Sequence, residues 1–433
     1  MILNAFLIAY RLLWFFGLPF VLLYIWSRGR RDPAYKAHLG ERFGIYHSLL
    51  PPNPLWIHAV SLGEVRSAVA LIRLALDRGD NVVVTHFTPA GRAETNRQFA
   101  TEIASGQLAA IWVPFDMHWC FRRFFRACRP RIGLTMEVEF WPAMIFASRR
   151  ARVPLYMCNA QYASRPRERD SRGLRLRQRV IQGFAGGFVK SKLQADSFAS
   201  IGVQNITVTG ELRFDQPIAP HLIHAAETLK PTLPEGREVV TIASGVESEE
   251  PLYADMITRL IADAKAQNRP SPYFVYVPRA PERFDAVFSG LEDAGLTCLR
   301  RSTALDDQLK PKASIAETDV LLGDSLGEMF FYLGLADRVV VGSGFDPKGA
   351  HNIIEPLMMS KPALTGPHIW TIEFPFNEAE AAGVAKRVPD IDTLITELSN
   401  PAPDKSAEIA AFLAEHQGAS ARTLAEIDKV LGR

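Results

Sequence analysis

The sequence predicts an α/β protein made of two doubly wound halves, each a parallel sheet flanked by helices. Three observations lead there. Short apolar runs of strand length alternate with longer amphipathic stretches along most of the chain. The alternation is broken once, by a proline-bearing stretch at 217–236, and then resumes. The length of 433 residues is also long for one domain and suits two of roughly 200 each.

Taken in order, the first element is LLWFFGLPFVLLYIW (12–26), an uncharged run too short by itself to span a bilayer. Reaching back past Arg11 to Ile2 supplies the length, with Arg11 snorkelling to the nearer interface. A cleaved signal peptide carries its basic residues before the apolar run, whereas Arg28, Arg30 and Arg31 follow it here. The expectation is an uncleaved membrane anchor over 1–31, with everything downstream in the cytoplasm by the positive-inside rule. A core helix or an interfacial helix is the alternative.

The runs LWIHAV, NVVVTHF, LAAIWVPF, RIGLTMEVE, PLYMCNA, GGFVKS and NITVTG read as strands of a first domain, 32–216, with helices such as EVRSAVALIRLALDRG between them. The stretch 217–236 reads as a linker. EVVTIASG, YFVYVPR, LTCLRR, DVLLGD, DRVVVGSG and KPALTG then form a second domain, 237–433, closed by terminal helices from SAEIAAFLAEH onward. There is no internal repeat.

Composition narrows the function. Hydrophobic residues at 48% and charged residues at 22% are ordinary for a globular chain and exclude wholesale disorder. A net charge of +2 excludes a general nucleic-acid binder. Arginines nevertheless crowd the first half, and Arg172, Arg175 and Arg179 fall at helical spacing, suited to an anionic lipid surface or to a solvated helix face. The four cysteines lack C-x-x-C spacing and read as reduced and structural.

Open parallel sheets bind ligands beyond the C-terminal ends of their strands, so polar groups at those ends are the candidates. WIHAVSLGEV (56–65) carries His58, Ser61, Gly63 and Glu64 out of a core strand. Glu64 at a helix start is either a cap favoured by the dipole or a catalytic carboxylate. NVVVTHFTPAG ends a strand with His86 and Thr88. RIGLTMEVEFWP ends another with Glu137 and Glu139, which alternate onto one face of an extended chain; edge charge or salt bridges to arginines are the alternative for that pair. Together these ends suggest the floor of an acceptor site.

In the second half, VVVGSGFDPKGAHNIIEP (339–356) runs from a β-branched strand into a glycine-rich turn and then a helix start. Glycines admit close backbone approach, and helix-start N–H groups bind phosphate. The spacing is neither the dinucleotide nor the Walker pattern. His351 and Glu355 lie four apart, on one helical face, but without a third ligand they predict no metal. Arg279 in VPRAPERF and the Gly327–Glu328 pair in GDSLGEMFFY stand at further strand ends.

WIHAVSLGE, THFTPAG, TMEVEFWP, CNA, PRAPERF, DSLGEMFFYLGLAD and GSGFDPKGAHNIIEP occur in this order, and together they resemble the bacterial Kdo transferases. Those enzymes move 3-deoxy-D-manno-oct-2-ulosonic acid (Kdo) from CMP-Kdo onto lipid A precursors. The resemblance runs from the hydrophobic N-terminus to about residue 380. It implies a glycosyltransferase B-type fold with two Rossmann-like domains facing a cleft. It also implies a metal-independent, cofactor-free, inverting transferase at the cytoplasmic face of the inner membrane. Carried onto this chain, the family's general base is Glu64. The donor nucleotide is held by Arg279, Gly327, Glu328, Ser343, Gly344, Gly349, Asn352 and Glu355. His58, Ser61, Gly63, His86, Glu137, Glu139 and Arg213 are placed on the acceptor and sugar side.

This chain departs from the family pattern in four places. Gln161 stands where NAQYAS would carry an arginine, and GELR puts Glu211 for asparagine and Arg213 for lysine. ASGVESEE replaces the usual A-S-T-x-x-G-E-E, and Ala350 replaces a glycine. A UDP-sugar transferase or epimerase of the same fold, or a non-catalytic glycolipid-binding relative, are the competing expectations.

Overall fold

The computed structural model describes residues 1–233 and 236–433. The chain divides into two compact units, Met1–Pro217 with His416–Arg433, and Ile218–Glu415.

The first unit holds a seven-stranded sheet of β1 (Leu55–His58), β2 (Val82–His86), β3 (Leu108–Trp112), β4 (Ile132–Met136), β5 (Leu155–Ala160), β6 (Gly186–Val189) and β7 (Ile206–Val208). All pairings are parallel, in the order β3-β2-β1-β4-β5-β6-β7. Parallel strands covered on both faces need apolar side chains on both faces, and Val82, Val83 and Val84 are all fully buried. The chain order reverses between β1 and β4, which opens a crevice at their C-terminal ends.

The second unit holds β8 (Val239–Gly245), β9 (Tyr273–Pro278), β10 (Cys298–Arg300), β11 (Val320–Leu322), β12 (Arg338–Val341), β13 (Ala363–Thr365) and β14 (Ala385–Arg387). They are again parallel, in the order β10-β11-β9-β8-β12-β13-β14, with the reversal between β8 and β12. Every apolar run read as a strand forms one. β14 is the addition: Ala-Lys-Arg with a single buried residue carries no apolar signal.

Three expectations are corrected. The proposed linker 217–236 contains a helix of the second unit, Pro220–Leu229, whose Leu222, Ala226 and Leu229 are buried. Gly334 lets Ala226 approach so closely that a Cβ there would sit 2.5 Å from the Ala226 Cβ. Residues 234 and 235 of that stretch lie outside the described residues. The last helix, Ala419–Leu431, belongs to the first unit and not to the second. Its Leu424 and Ile427 join the core around β1, and Asp215 accepts hydrogen bonds from Gly418 N and Ser420 N, both at 2.6 Å. Arg172, Arg175 and Arg179 do not share a helix face. Gly173 and Arg175 both take positive φ, which ends one short helix at Asp170 and starts the next at Leu176.

The N-terminal run forms one helix, α1 (Ile2–Arg31). It is long and apolar enough to cross a membrane. Yet one face packs along the first unit: Leu3 and Phe6, then Tyr10, Trp14, Leu18, Val21 and Ile25, spaced three or four residues apart. Tyr10 Oη donates to Asp116 Oδ2 at 2.7 Å, and Phe6 and Trp14 meet Phe140 and Phe115. The opposite face exposes Leu13, Phe15, Phe16, Phe20 and Leu23.

Candidate functional site

The crevice at the β1/β4 reversal is built by the two strand ends that the sequence singles out. After β1 the chain turns through Ala59 and Val60 into α2 (Leu62–Asp77). Ser61 is its N-cap and accepts a long bond from Glu64 N at 3.5 Å. The Glu64 carboxylate folds back, accepting from Val60 N at 2.7 Å and from Ser61 Oγ at 3.0 Å. This is a capping box shifted by one residue, so the capping and catalytic readings of Glu64 describe the same geometry. It fixes the rotamer and leaves the carboxylate in the crevice, partly exposed. Burial pushes the Glu64 carboxyl up to about 7. The negative charges of Glu139 and Glu137 add to the rise, while the Val60 and Ser61 bonds oppose it.

Gly63, on the exposed side of the same turn, has no atom within 4 Å of where a Cβ would stand and does not take positive φ. Nothing among the described residues requires a glycine there.

The second strand end differs from its expectation. β4 stops at Met136, and Glu137 takes a left-handed conformation with φ 59°, so Glu137 and Glu139 do not alternate on an extended chain. They part to different partners. Glu137 faces Arg213 at 3.5 Å and Lys190 at 3.9 Å. Glu139 accepts from Trp141 Nε1 at 2.6 Å, and burial raises its pKa, with Glu137 adding to the rise. Trp141 in turn stands edge-on to His58 at 5.5 Å.

His58 and His86 are fully buried supports. His58 Nδ1 lies 2.9 Å from Thr85 Oγ1, and His86 Nδ1 lies 3.0 Å from Ala59 O. Burial pulls them down to about 4 and about 3, so both rings are neutral near pH 7. Thr88 caps α3 (Pro89–Gln98) and donates to Val60 O at 3.0 Å, bracing the Glu64 turn from the β2 side.

The departures Gln161 and Glu211 meet in one cluster. Lys190, at the end of β6, pairs with Glu211 at 2.8 Å and lies 3.5 Å from Gln161 Oε1. Asn159 donates to Glu211 at 2.8 Å. Burial pushes the Glu211 carboxyl up, but Lys190 and Arg213 outweigh it and hold it below its ordinary value. Arg213 also donates to Ser67 Oγ at 3.0 Å. Lys190 was not singled out from sequence, although it ends a predicted strand as Glu137 does.

In the second unit the reversal lies between β8 and β12, and here too the strand ends carry the candidates. Gly342 approaches Ser244 so closely that a Cβ would lie 2.4 Å from its carbonyl oxygen. Ser343 takes φ 69°, and Gly344 abuts Gly366 backbone. A glycine at 344 is therefore required by the close approach of the two backbones. Glu249, buried in ASGVESEE, accepts from Ser343 N at 2.5 Å and Phe345 N at 2.7 Å and fixes the turn. Sequence reasoning passed over Glu249; its signal was an acid in a segment already noted as divergent.

Gly349 takes φ 98° at the far end of the turn, and Asn352 Oδ1 accepts from Ile354 N at 2.9 Å. The helix that follows, Ile354–Met358, has only five residues, with Glu355 in its first turn. His351 precedes that helix, so His351 and Glu355 do not share a helical face. His351 is neutral as well: burial brings it down to about 4, helped by the Arg279 charge. Arg279, just past β9 and therefore on the other side of β8, donates its N–H to Gly245 O at 2.8 Å. Its exposed guanidinium has no ion pair among the described residues. Gly327, with φ 85°, sets the turn after β11. Glu328 beside it is matched by Arg301 in a bidentate pair at 2.6 and 2.7 Å.

Two doubly wound parallel sheets with polar groups at their reversal points make up the glycosyltransferase B-type fold. A glycosyltransferase from Rickettsia africae shares the fold at a TM-score of 0.57, with 11% identity, over 88% of this chain and 99% of that one. A family profile described as 3-deoxy-D-manno-octulosonic-acid transferase (kdotransferase) matches residues 37–216. The 3-deoxy-D-manno-octulosonic acid transferase of Bordetella pertussis is 35% identical over 96% of this chain and 97% of its own. The enzyme of the same description from Haemophilus influenzae (strain ATCC 51907 / DSM 11121 / KW20 / Rd) is 28% identical over 82% and 81%. The chain belongs to the Kdo transferase family, and it is a glycosyltransferase.

Proposed function

We propose that this protein transfers Kdo from CMP-Kdo to a hydroxyl of a lipid A precursor with inversion, at the cytoplasmic face of the inner membrane, and that Glu64 is the general base. The observation that carries the reading is the Glu64 carboxyl. It is held at a reversal-point crevice with its pKa raised to about 7, in a chain of the Kdo transferase family. A base works best with a pKa near the operating pH, where it is ionised yet still accepts a proton readily.

In the proposed step the acceptor hydroxyl gives its proton to Glu64. Its oxygen bonds the anomeric carbon of Kdo as the bond to CMP breaks, and the electron pair leaves on the phosphate. The sugar passes through an oxocarbenium-like state, as in glycoside hydrolysis. Arg279 supplies positive charge to the departing phosphate. Ser343, Gly344, Gly349, Asn352 and Glu355, with Gly327 and Glu328, surround the nucleotide. Ser61, Gly63, Glu137, Glu139 and Arg213 face the acceptor, and neutral His58 and His86 brace that floor. The scheme uses no metal and no cofactor. The exposed apolar face of α1, followed by Arg28, Arg30 and Arg31, is suited to an anionic inner leaflet, where each basic residue contributes ~1 kcal/mol.

The test is transfer by the membrane-reconstituted protein from CMP-Kdo to tetraacylated lipid A precursor, with products read by mass. Addition of one or more Kdo masses is expected. No product from a folded sample would refute the donor–acceptor assignment.

A further inference from the structure

A cavity of about 620 Å³ lies between α1 and the body of the first unit. That is within the ~300–1,000 Å³ range of small-molecule sites. Its walls are apolar and aromatic: Trp14, Val21 and Ile25 from α1, and Phe87, Phe140 and Trp141 from the body. Two charged side chains line it: Asp116, which accepts from Tyr10 Oη at 2.7 Å, Ala143 N at 3.1 Å and Met144 N at 2.8 Å, and Arg42, which has no such set of partners. Arg42 is only 2% exposed, and its guanidinium lies 4.3 Å over the Trp112 ring and 5.5 Å over that of Phe87. Among the described residues its guanidinium makes one hydrogen bond, a long 3.4 Å contact to Phe87 O, and Nε has no partner. Among the described residues it pairs with no carboxylate. The adjacent Glu41 is engaged by Arg92 at 2.8 and 3.2 Å and by Trp112 N at 2.8 Å. Burial lowers Arg42 to about 10, with Arg92 adding to the fall; it stays charged at pH 7.

The nearby Glu41 charge favours the Arg42 cation but is shared with Arg92, and a buried cation so weakly compensated is unfavourable; an anion supplied from outside would relieve it. Asp116 is already met by its own donors, so an apolar chamber with the poorly partnered Arg42 cation in its wall is complementary to an anionic amphiphile, a hydrocarbon chain bearing a phosphate. The cavity also shares its wall with the scaffold of the base. Thr88, which lines it, bonds Val60, and Val60 N bonds Glu64. Trp141, also in the wall, bonds Glu139, which raises Glu64.

We propose that this cavity binds one acyl chain of the acceptor glycolipid, with Arg42 pairing an acceptor phosphate, so that the lipid is held against the turn that carries Glu64. The assignment rests on the acylated, phosphorylated acceptor of the proposed function. α1 is then a wall of the substrate site as well as a membrane contact.

The full-length protein in detergent is titrated with a bromoalkyl phosphate and with the matching bromoalkyl alcohol, reading quenching of Trp14 and Trp141. The phosphate is expected to quench saturably and to bind at least tenfold more tightly than the alcohol. Arg42→Gln should erase that difference, and Val21→Phe, which narrows the chamber without touching the charge, should weaken both probes. In transfer assays Val21→Phe should raise KM for the tetraacylated acceptor at least tenfold while leaving KM for its deacylated form unchanged. Absence of saturable quenching in the wild type overturns the site. Probe binding combined with equal Val21→Phe effects on both acceptors overturns the acceptor as occupant and assigns the chamber to bulk phospholipid. Because quenching needs no turnover, failure of the transfer reading is seen separately from failure of the cavity.

Discussion

Replacing Glu64 by Gln separates the capping role of this residue from its proposed chemistry. Glutamine keeps a side-chain oxygen to accept the Val60 N–H but cannot ionise. In the wild type the carboxyl is raised from 4.5 to about 7, mainly by burial. At about 1.4 kcal/mol per pH unit, the ionised form therefore costs the fold about 3 kcal/mol. The folded pKa lies above the unfolded one, so the native state holds the proton more tightly. Wild-type stability then falls as pH rises from 4.5 toward 7 and is level above that. Glu64→Gln escapes this loss. The two proteins should unfold at similar denaturant concentrations at pH 4, and the variant should be ahead by up to ~3 kcal/mol at pH 8. Transfer should fall by about 10²- to 10⁴-fold, the usual worth of a general base. In the wild type, kcat/KM should rise with pH through about 7 and then level off, and in the variant that rise should vanish. Denaturant titrations at the two pH values and a pH–rate profile provide the measurements. Full activity in Glu64→Gln, or an unchanged profile, refutes the base assignment; equal stability at pH 8 refutes the burial argument.

Gly63→Ala should fold at least as well as wild type, since alanine is the better helix former by up to ~1 kcal/mol and no atom of the described residues opposes a Cβ there. It should lose transfer all the same, by obstructing the acceptor; a fully active variant shows that the open space is not used. Arg279→Ala should leave the melting temperature unchanged, because the guanidinium has no ion pair among the described residues, and should weaken CMP binding by calorimetry; equal affinity removes it from the donor site. Glu211→Gln should destabilise the fold by ~3–5 kcal/mol by leaving Lys190 buried without its carboxylate, and Lys190→Met in the same chain should recover most of that loss. Denaturant midpoints test both, and a small effect of the single change means that Glu137 or solvent compensates Lys190.

The strands were legible because parallel sheets buried on both faces demand near-continuous apolar runs, and Val82, Val83 and Val84 have no other use. Strand ends were legible as well: Glu64, Glu137 and Ser343 stand where the apolar signal stops. The ownership of the last helix was not. Leu424 and Ile427 declare an apolar stripe, but the surface that covers it lies more than 200 positions earlier, around Asp215. Glu137 shows another limit. A left-handed residue directly after a strand leaves no mark in the sequence when it is not glycine. The buried Arg42 was likewise hidden among many arginines, because nothing local tells a solvated guanidinium from one enclosed by Trp112 and Phe87.

The return of Ala419–Leu431 to the first unit has a consequence for biosynthesis. The half that leaves the ribosome first is completed last, because a piece of its core is encoded in the final residues of the chain. The second unit, a continuous stretch from Ile218 to Glu415, has all its parts before that moment. A stop codon near residue 416 would therefore damage the half it does not interrupt, leaving the apolar surface around Leu71 and Ile72 bare. Anyone wishing to produce the first half alone must join Pro217 to His416 rather than cut the gene at the apparent boundary.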